Sequence, residues 1–165
     1  MKALYLISTF TIFLVFCSCG IQAQPTETKP DQVELLKQFI GSWKQEGNDT
    51  ILFLDQKEYG TGQDVYMKWV ANGKTINDGR QLCGYNKGLD KIVIAAMARG
   101  TDLNIYVMWF ISDNKYLGIP FSDISNPEYA SVKIEGEIIS PDRYIETVII
   151  NNKPVRTDIY IRVKE

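Results

Sequence analysis

Few residues in this sequence are of types that carry out chemistry. The chain contains three cysteines and no histidine. The absence of histidine excludes a Ser-His-Asp triad, a Cys-His dyad, a histidine-ligated haem and histidine-containing zinc sites. Acid–base catalysis near neutral pH would then need a strongly shifted carboxyl, amine or thiol group. We therefore expect no enzyme, no metal and no cofactor, and keep a histidine-free enzyme as an alternative.

Two groups of residues would serve such an enzyme. Cys83 is either a nucleophilic thiol or a small buried apolar residue, and no histidine is present to lower its pKa. Asp78 and Arg80 share a strand parity with Ile76 and Leu82. The pair either faces an apolar interior, where it would orient a ligand, or lies at the rim in water.

The charged residues point away from nucleic acid. The net charge is −2 and no run of Lys or Arg occurs, so we expect no nucleic-acid partner. The carboxylates of Glu135, Glu137 and Glu146 are scattered along strand-like segments. We interpret them as solvated strand faces and not as a catalytic pair.

The N-terminus has the pattern of a secretory signal peptide. Lys2 precedes an apolar stretch, Ala3–Phe16, which is too short for a transmembrane helix and is followed by small and polar residues. Cleavage after Ala23 would leave a soluble exported protein. Lipidation at Cys17 or Cys19 is the alternative and would give a lipid-anchored, outer-membrane form; Cys19 is the better match, because the small Ser18 precedes it whereas the bulky Phe16 precedes Cys17. Either form places the protein in the periplasm or outside the cell.

The sequence therefore divides into three parts. Residues 1–23 are the predicted signal peptide, and residues 24–30, which include two prolines, are a predicted flexible tether. Residues 31–165 are the predicted domain. If cleavage follows residue 23, Cys83 is the one cysteine left, so the domain has no internal disulfide.

The domain begins with a short helix and continues as strands. Asp31 and Glu34 have the spacing of a capping box, and Gly41 is placed to end a helix of about ten residues. From Ser42 onward about ten strand-like segments follow, separated by short turns. Asn72–Gly73 has the sequence of a two-residue hairpin, and Ser122–Glu128 is the longest predicted loop.

Short connections predict that each strand pairs with its neighbour in sequence. An open meander of this many strands has two exposed edges and one uncovered apolar face, and closure removes both problems. We therefore predict an all-β fold: a closed or nearly closed antiparallel up-and-down β-barrel of 8–10 strands, with the short helix covering one end. One assignment of the strand faces directs these residues inward: Val65, Met67, Trp69, Ile76, Leu82, Ile94, Ala96 and Trp109.

The segment Gly41-Ser42-Trp43 resembles the entry motif of the lipocalins, a Gly-x-Trp between a short helix and the first strand. The resemblance implies that Trp43 closes the barrel base and that Arg162, near the chain's end, packs over its ring as a cation–π contact. Gly84-Tyr85-Asn86 also resembles a Gly-Tyr-Asp turn of uncharacterised bacterial lipocalin-like families, with Asn86 in place of Asp. Haem-binding relatives use a histidine ligand, which this chain lacks.

These observations predict a binding module, an exported barrel that holds a small hydrophobic or amphipathic ligand. The predicted barrel-lining contacts are Met67, Trp69, Asp78, Arg80, Ile94, Ala96 and Trp109. The alternative is a barrel filled by side chains that binds a protein partner through its loops, with Ser122–Glu128 and Gly60–Gln63 as the contacts. Ligand identity and oligomeric state stay open.

Overall fold

A computed structural model of the protein describes residues 29–164. The predicted signal peptide, both of its cysteines (Cys17 and Cys19) and residues 24–28 of the predicted tether lie outside the described residues. Between residues 29 and 164 no helix has both the length and the apolar character needed to cross a membrane.

The described chain consists mainly of antiparallel strands. A helix, α1 (Gln32–Leu36), runs directly into a 3₁₀ turn (Lys37–Phe39). Ten strands follow within the described range: β1 (Gly41–Gln45), β2 (Thr50–Tyr59), β3 (Gly62–Ala71), β4 (Lys74–Asn86), β5 (Lys91–Ala98), β6 (Asn104–Phe110), β7 (Lys115–Pro120), β8 (Val132–Ser140), β9 (Arg143–Ile150) and β10 (Lys153–Arg162).

The ten strands form a closed up-and-down barrel, which confirms the predicted fold class. Each strand pairs with its neighbours in sequence, and β10 pairs with β1 through Trp43 opposite Arg162 and Gln45 opposite Tyr160. The hairpin predicted at Asn72–Gly73 is present, and both residues have positive φ (50° and 71°). Closure leaves no unpaired sheet edge among these strands.

The N-terminal helix is shorter than predicted but lies where predicted, at one end of the barrel. The side chain of Asp31 accepts hydrogen bonds from the backbone N–H groups of Val33 and Glu34, each at 3.1 Å. Leu36 and Phe39 are buried in the barrel core. The helix ends before Gly41, which belongs to β1 and does not cap the helix as predicted.

Arg162 holds the helix and the barrel closure together. Its guanidinium lies 4.2 Å from the centre of the Trp43 ring, and Trp43 is almost fully buried. The same guanidinium donates to the carbonyls of Gln38 (3.0 Å) and Ile40 (2.5 Å). A Cβ on Gly41 would lie 2.5 Å from the Arg162 Nη1 atom, and Gly41 has φ of +120°, so only glycine suits this position.

Aromatic rings fill the closed end of the barrel. Phe39 packs edge-on against Tyr116 and Tyr144, with ring centres 5.4 and 5.1 Å apart. Tyr144 contacts Trp43 edge-on and stacks on Tyr160 at 4.5 Å. Edge-to-face and stacked pairs of this kind add to the free energy of burial, so this end is a packed plug.

A second, smaller core lies on the outside of the barrel. The segment predicted as the longest loop contains two 3₁₀ turns, Phe121–Asp123 and Pro127–Tyr129, and it packs on the outer face of β6 and β7. Val107, Ile119 and Ala130 are buried there. This cover explains why β6 is apolar on both faces.

A row of paired residues crosses four strands on the inner face. Tyr116 lies opposite Gly136, Gly136 opposite Glu146, and Glu146 opposite Asp158. The Tyr116 ring occupies the space that a side chain at position 136 would fill, since a Cβ there would lie 1.9 Å from the ring carbon Cζ. The ring therefore passes over Gly136, and its hydroxyl reaches Glu146.

We expect Gly136→Ala to lower the free energy of unfolding by about 1–3 kcal/mol, because the added methyl group overlaps the buried Tyr116 ring. Gly84→Ala is the matched control, since a Cβ at Gly84 meets nothing within 4 Å. We expect the control to change stability by less than about 1 kcal/mol. Urea unfolding followed by circular dichroism measures both, and equal stabilities of the two variants would contradict this account.

Candidate functional site

Strand alternation decides which predicted residues line the lumen. Met67 and Trp69 on β3 and Ile94 on β5 pack with the barrel core, and Ala96 shares the inward parity of Ile94. These four side chains therefore face the interior. Whether they contact a ligand stays a prediction.

Asp78 and Arg80 lie on the outer surface, together with Ile76 and Leu82. Their assignment to the interior is wrong, because the alternate residues Gln81 and Cys83 of β4 line the lumen and the even-numbered residues therefore face outward. Arg80 pairs with Asp64 at 2.8 Å on the outer face.

Asp78 also forms an ion pair on the outer face, with Arg99. It accepts two hydrogen bonds from the Arg99 guanidinium, at 3.0 and 3.1 Å. Both charged residues of the predicted pair are therefore engaged in separate surface ion pairs and do not act on a common ligand in the lumen.

Trp109 also points outward, which corrects its predicted place in the lining. On β6 the inward parity belongs to Tyr106, Met108 and Phe110. The Trp109 ring packs beside the outer core, and the Lys91 ammonium lies 3.9 Å from its centre. Because β6 is apolar on both faces, the sequence pattern leaves its orientation undetermined.

Inside the barrel, above the aromatic plug, lies a partly open cavity of about 120 Å³. Its wall combines apolar side chains with groups that form hydrogen bonds. The lining residues are Leu36, Phe39, Leu52, Leu54, Gln56, Gln63, Met67, Gln81, Cys83, Ile94, Met108, Tyr116, Tyr144, Glu146 and Tyr160.

Glu146 is the carboxylate of this cavity, and its predicted position on a solvated strand face is wrong. It faces inward and accepts a hydrogen bond of 2.9 Å from the Tyr116 hydroxyl. Its residue is half-buried, and its side chain borders the open space of the cavity. Strand β9 carries apolar residues on both parities, so no alternation in the sequence shows which face is internal.

Burial is the main influence on the charge of Glu146. It raises the carboxyl pKa above its ordinary value, and the neighbouring Asp158 carboxylate raises it further. The hydrogen bond from Tyr116 acts in the opposite direction. Burial also raises the pKa of the Tyr116 phenol, which therefore stays a hydrogen-bond donor at neutral pH.

Asp158, next to Glu146 on β10, has its own partners. The Gln45 side chain donates to one of its oxygens at 2.6 Å, and Arg156 pairs with the other at 2.8 Å. Asp158 is almost fully buried, whereas most of the Arg156 side chain is exposed. The charge of Asp158 is thus balanced inside the protein.

The side-chain amides of three glutamines border the same cavity: Gln56, Gln63 and Gln81. Gln63 donates to the carbonyl of Leu36 at 2.8 Å and so fastens the helix to β3. Gln56 is only 7% exposed and has no side-chain hydrogen bond to any residue between 29 and 164. Neither polar atom of Gln56 is sealed from open space, so its amide is directed at the cavity. None of these glutamines was predicted from the sequence.

Cys83 also borders the cavity and is buried, in agreement with the structural interpretation of this residue. Burial raises the pKa of its thiol to about 12. The thiol is therefore un-ionised at neutral pH, and a thiol in that state is a poor nucleophile.

A groove lies on the outside of the barrel, across β3, β4 and β5. It has a volume of about 780 Å³. Its apolar surface comes from Tyr66, Leu82, Met97 and Leu103, each more than one-third exposed. The two ion pairs Arg80–Asp64 and Arg99–Asp78 border it.

Comparison with known proteins does not assign the chain to a family. The sequence matches no protein-family model and no curated protein. The function must therefore be argued from the geometry of the barrel.

The raised pKa of Glu146 predicts a pH-dependent stability. The pKa of Glu146 is higher in the folded protein than in the unfolded chain, where it is about 4.3. The contribution of this group to the free energy of unfolding is therefore fully present below the unfolded pKa. That contribution is lost as the pH rises through the folded pKa, at no more than about 1.4 kcal/mol per pH unit. We expect Glu146→Gln, which stays neutral, to gain stability relative to the wild type as the pH rises from 4 to 8.

Urea unfolding at several pH values measures this difference. Glu135→Gln is the matched control, because Glu135 is exposed. A difference between wild type and Glu146→Gln that stays constant from pH 4 to 8 would show that Glu146 is not perturbed by burial.

The Cys83 thiol should react slowly in the folded protein. At pH 8 its thiolate fraction is about a thousandfold below that of an unfolded cysteine with a pKa near 8.5, so we expect alkylation by iodoacetamide to slow by more than about 100-fold. Mass spectrometry of the tryptic peptide Gln81–Lys87 measures this site separately from the other cysteines. Equal rates in native and urea-unfolded protein would refute the account.

Proposed function

We propose that this protein is an exported, lipocalin-like binding protein that takes a small amphipathic molecule into its barrel, and that it is not an enzyme. The observation that carries the proposal is the cavity of about 120 Å³, which is bordered by a carboxylate and by a buried carboxamide that holds no other part of the fold. Pockets that combine an apolar wall with a few directed polar groups are typical of ligand sites.

The cavity volume limits what enters it. A protein cavity of about 150 Å³ accommodates one benzene molecule, so a cavity of about 120 Å³ takes a comparably small group. The inward side chains of Leu52, Trp69 and Ile94 are only partly buried, so the lumen beside the cavity is open. We infer that the ligand inserts a small polar head and leaves its apolar part against these side chains.

The proposed family rests on the closure of the barrel and on one contact. The geometry of Trp43 and Arg162 is what the resemblance implies, with the guanidinium 4.2 Å from the ring centre. Export rests on the signal-like pattern of residues 1–23.

The outer groove favours a second candidate, a barrel that binds a protein partner on its outside. The groove is several times larger than the internal cavity and has exposed apolar residues at Leu82, Met97 and Leu103. Exposed apolar surface of this kind marks interaction sites in soluble proteins. We rank it second because its charged residues already pair with one another.

Substitutions of two neighbouring alanines on β5 distinguish a ligand site in the lumen from a site in the outer groove. Ala96 is buried and faces inward, whereas Ala95 faces outward and lines the groove. We expect Ala96→Phe to weaken binding of a small neutral probe, 2-phenylethanol, by at least about tenfold, because the ring fills the lumen. Ala95→Phe should leave the affinity of this probe unchanged.

Isothermal titration calorimetry measures the affinities, and native mass spectrometry of the purified protein detects a retained ligand. Circular dichroism establishes that each variant is folded, and Ala96→Leu replaces Ala96→Phe if the larger residue is not tolerated. Loss of binding in Ala95→Phe alone would assign the site to the groove, and no binding to the wild type would refute a lumen site.

A further inference from the structure

We propose that the lumen binds a small organic cation, a primary ammonium on a short apolar body, and that the carboxylate of Glu146 pairs with it. This inference rests on the proposed function and names the chemistry of its ligand.

The first argument is the balance of charges on the inner face. Glu146 and Asp158 lie side by side on β9 and β10, and Arg156 forms a salt bridge with Asp158. Within residues 29–164 no lysine or arginine forms a salt bridge with Glu146, whose direct hydrogen bond comes from the neutral Tyr116 hydroxyl. Glu146 borders the cavity and is thus left without a direct salt-bridge partner, an arrangement that costs free energy for the ionised carboxylate unless a cation binds there.

The second argument is independent of charge and comes from Gln56. Its side chain is more than nine-tenths buried, borders the cavity and has no hydrogen bond to any described residue. The polar atoms of Gln56 reach the open space of the cavity, so the amide is placed to form hydrogen bonds with a water or a ligand there. An ammonium group has three donors and no acceptor, and the wall offers the Glu146 carboxylate and the Gln56 and Gln81 carbonyl oxygens.

The remaining wall suits an organic cation better than a metal ion. The rings of Phe39, Tyr144 and Tyr160 line the cavity, and aromatic faces attract ammonium groups. Within the described part of the chain no group of three or more Asp, Glu or Cys residues is placed to hold a metal. The volume of about 120 Å³ limits the inserted part to an ammonium group and a few carbon atoms.

Binding should depend on pH through the groups that face Glu146. These are Tyr116 on β7, Tyr144 on β9, and Arg156, Asp158 and Tyr160 on β10. The tyrosines stay neutral because burial raises their pKa values. Because the ammonium needs the ionised carboxylate, amine affinity should rise as the pH increases through the pKa of Glu146.

The test compares two molecules of matched shape, 2-phenylethylamine and 2-phenylethanol, by calorimetry with the full chain. At pH 7.5 we expect the wild type to bind the amine at least about tenfold more tightly than the alcohol. Glu146→Gln should reduce that preference to less than about threefold while it retains alcohol binding. Glu135→Gln, an exposed carboxylate on β8, should keep the wild-type preference.

The outcomes separate this inference from the proposed function. Equal affinities of the wild type for amine and alcohol would overturn the proposal of a cationic ligand and leave the proposed lumen site intact. No binding of either molecule would overturn both proposals. If Glu146→Gln does not fold, the wild type decides, because amine affinity must rise between pH 4 and 7 while alcohol affinity does not. A flat pH profile for the amine would overturn the inference.

Discussion

The closure between the first and last strands is the constraint on which the rest of the structure depends. Strand β1 has five residues and pairs with β10 through only a few positions, so this seam needs reinforcement. Trp43 and Arg162 supply it, since the guanidinium stacks on the indole and also binds carbonyls of the helix segment. Without this seam the meander would expose two edges, and the lumen would not exist as a separate environment.

Closure also creates the electrostatic environment of the site. Once the barrel is closed, the row from Tyr116 to Asp158 faces an interior that contains aromatic rings and little water-exposed surface. Glu146 therefore has a raised pKa, and the Cys83 thiol is neutral for the same reason. One physical cause, desolvation inside the barrel, raises the pKa of the carboxyl group and of the thiol, and it disfavours nucleophilic chemistry at the cysteine.

Much of the fold was predictable because local rules agree with the global architecture. Turn residues with positive φ, such as Asn72 and Gly73, separate the strands, and short connections require neighbouring strands to pair. The helix cap at Asp31 was predicted for the same reason, since it depends on residues within three positions. The end of the helix was not, because Gly41 is held by Arg162, which lies far away in the sequence.

The sequence by itself determined the barrel class, the strands and turns, and the exclusion of histidine chemistry, because these depend on composition and on neighbours along the chain. Only the tertiary structure decided which face of each strand is internal. Strands β4, β6 and β9 carry apolar residues on both faces, so alternation does not orient them, and Asp78, Arg80 and Trp109 lie outside while Glu146 lies inside. The inward direction of a strand is fixed by pairing across the barrel, which joins residues distant in sequence.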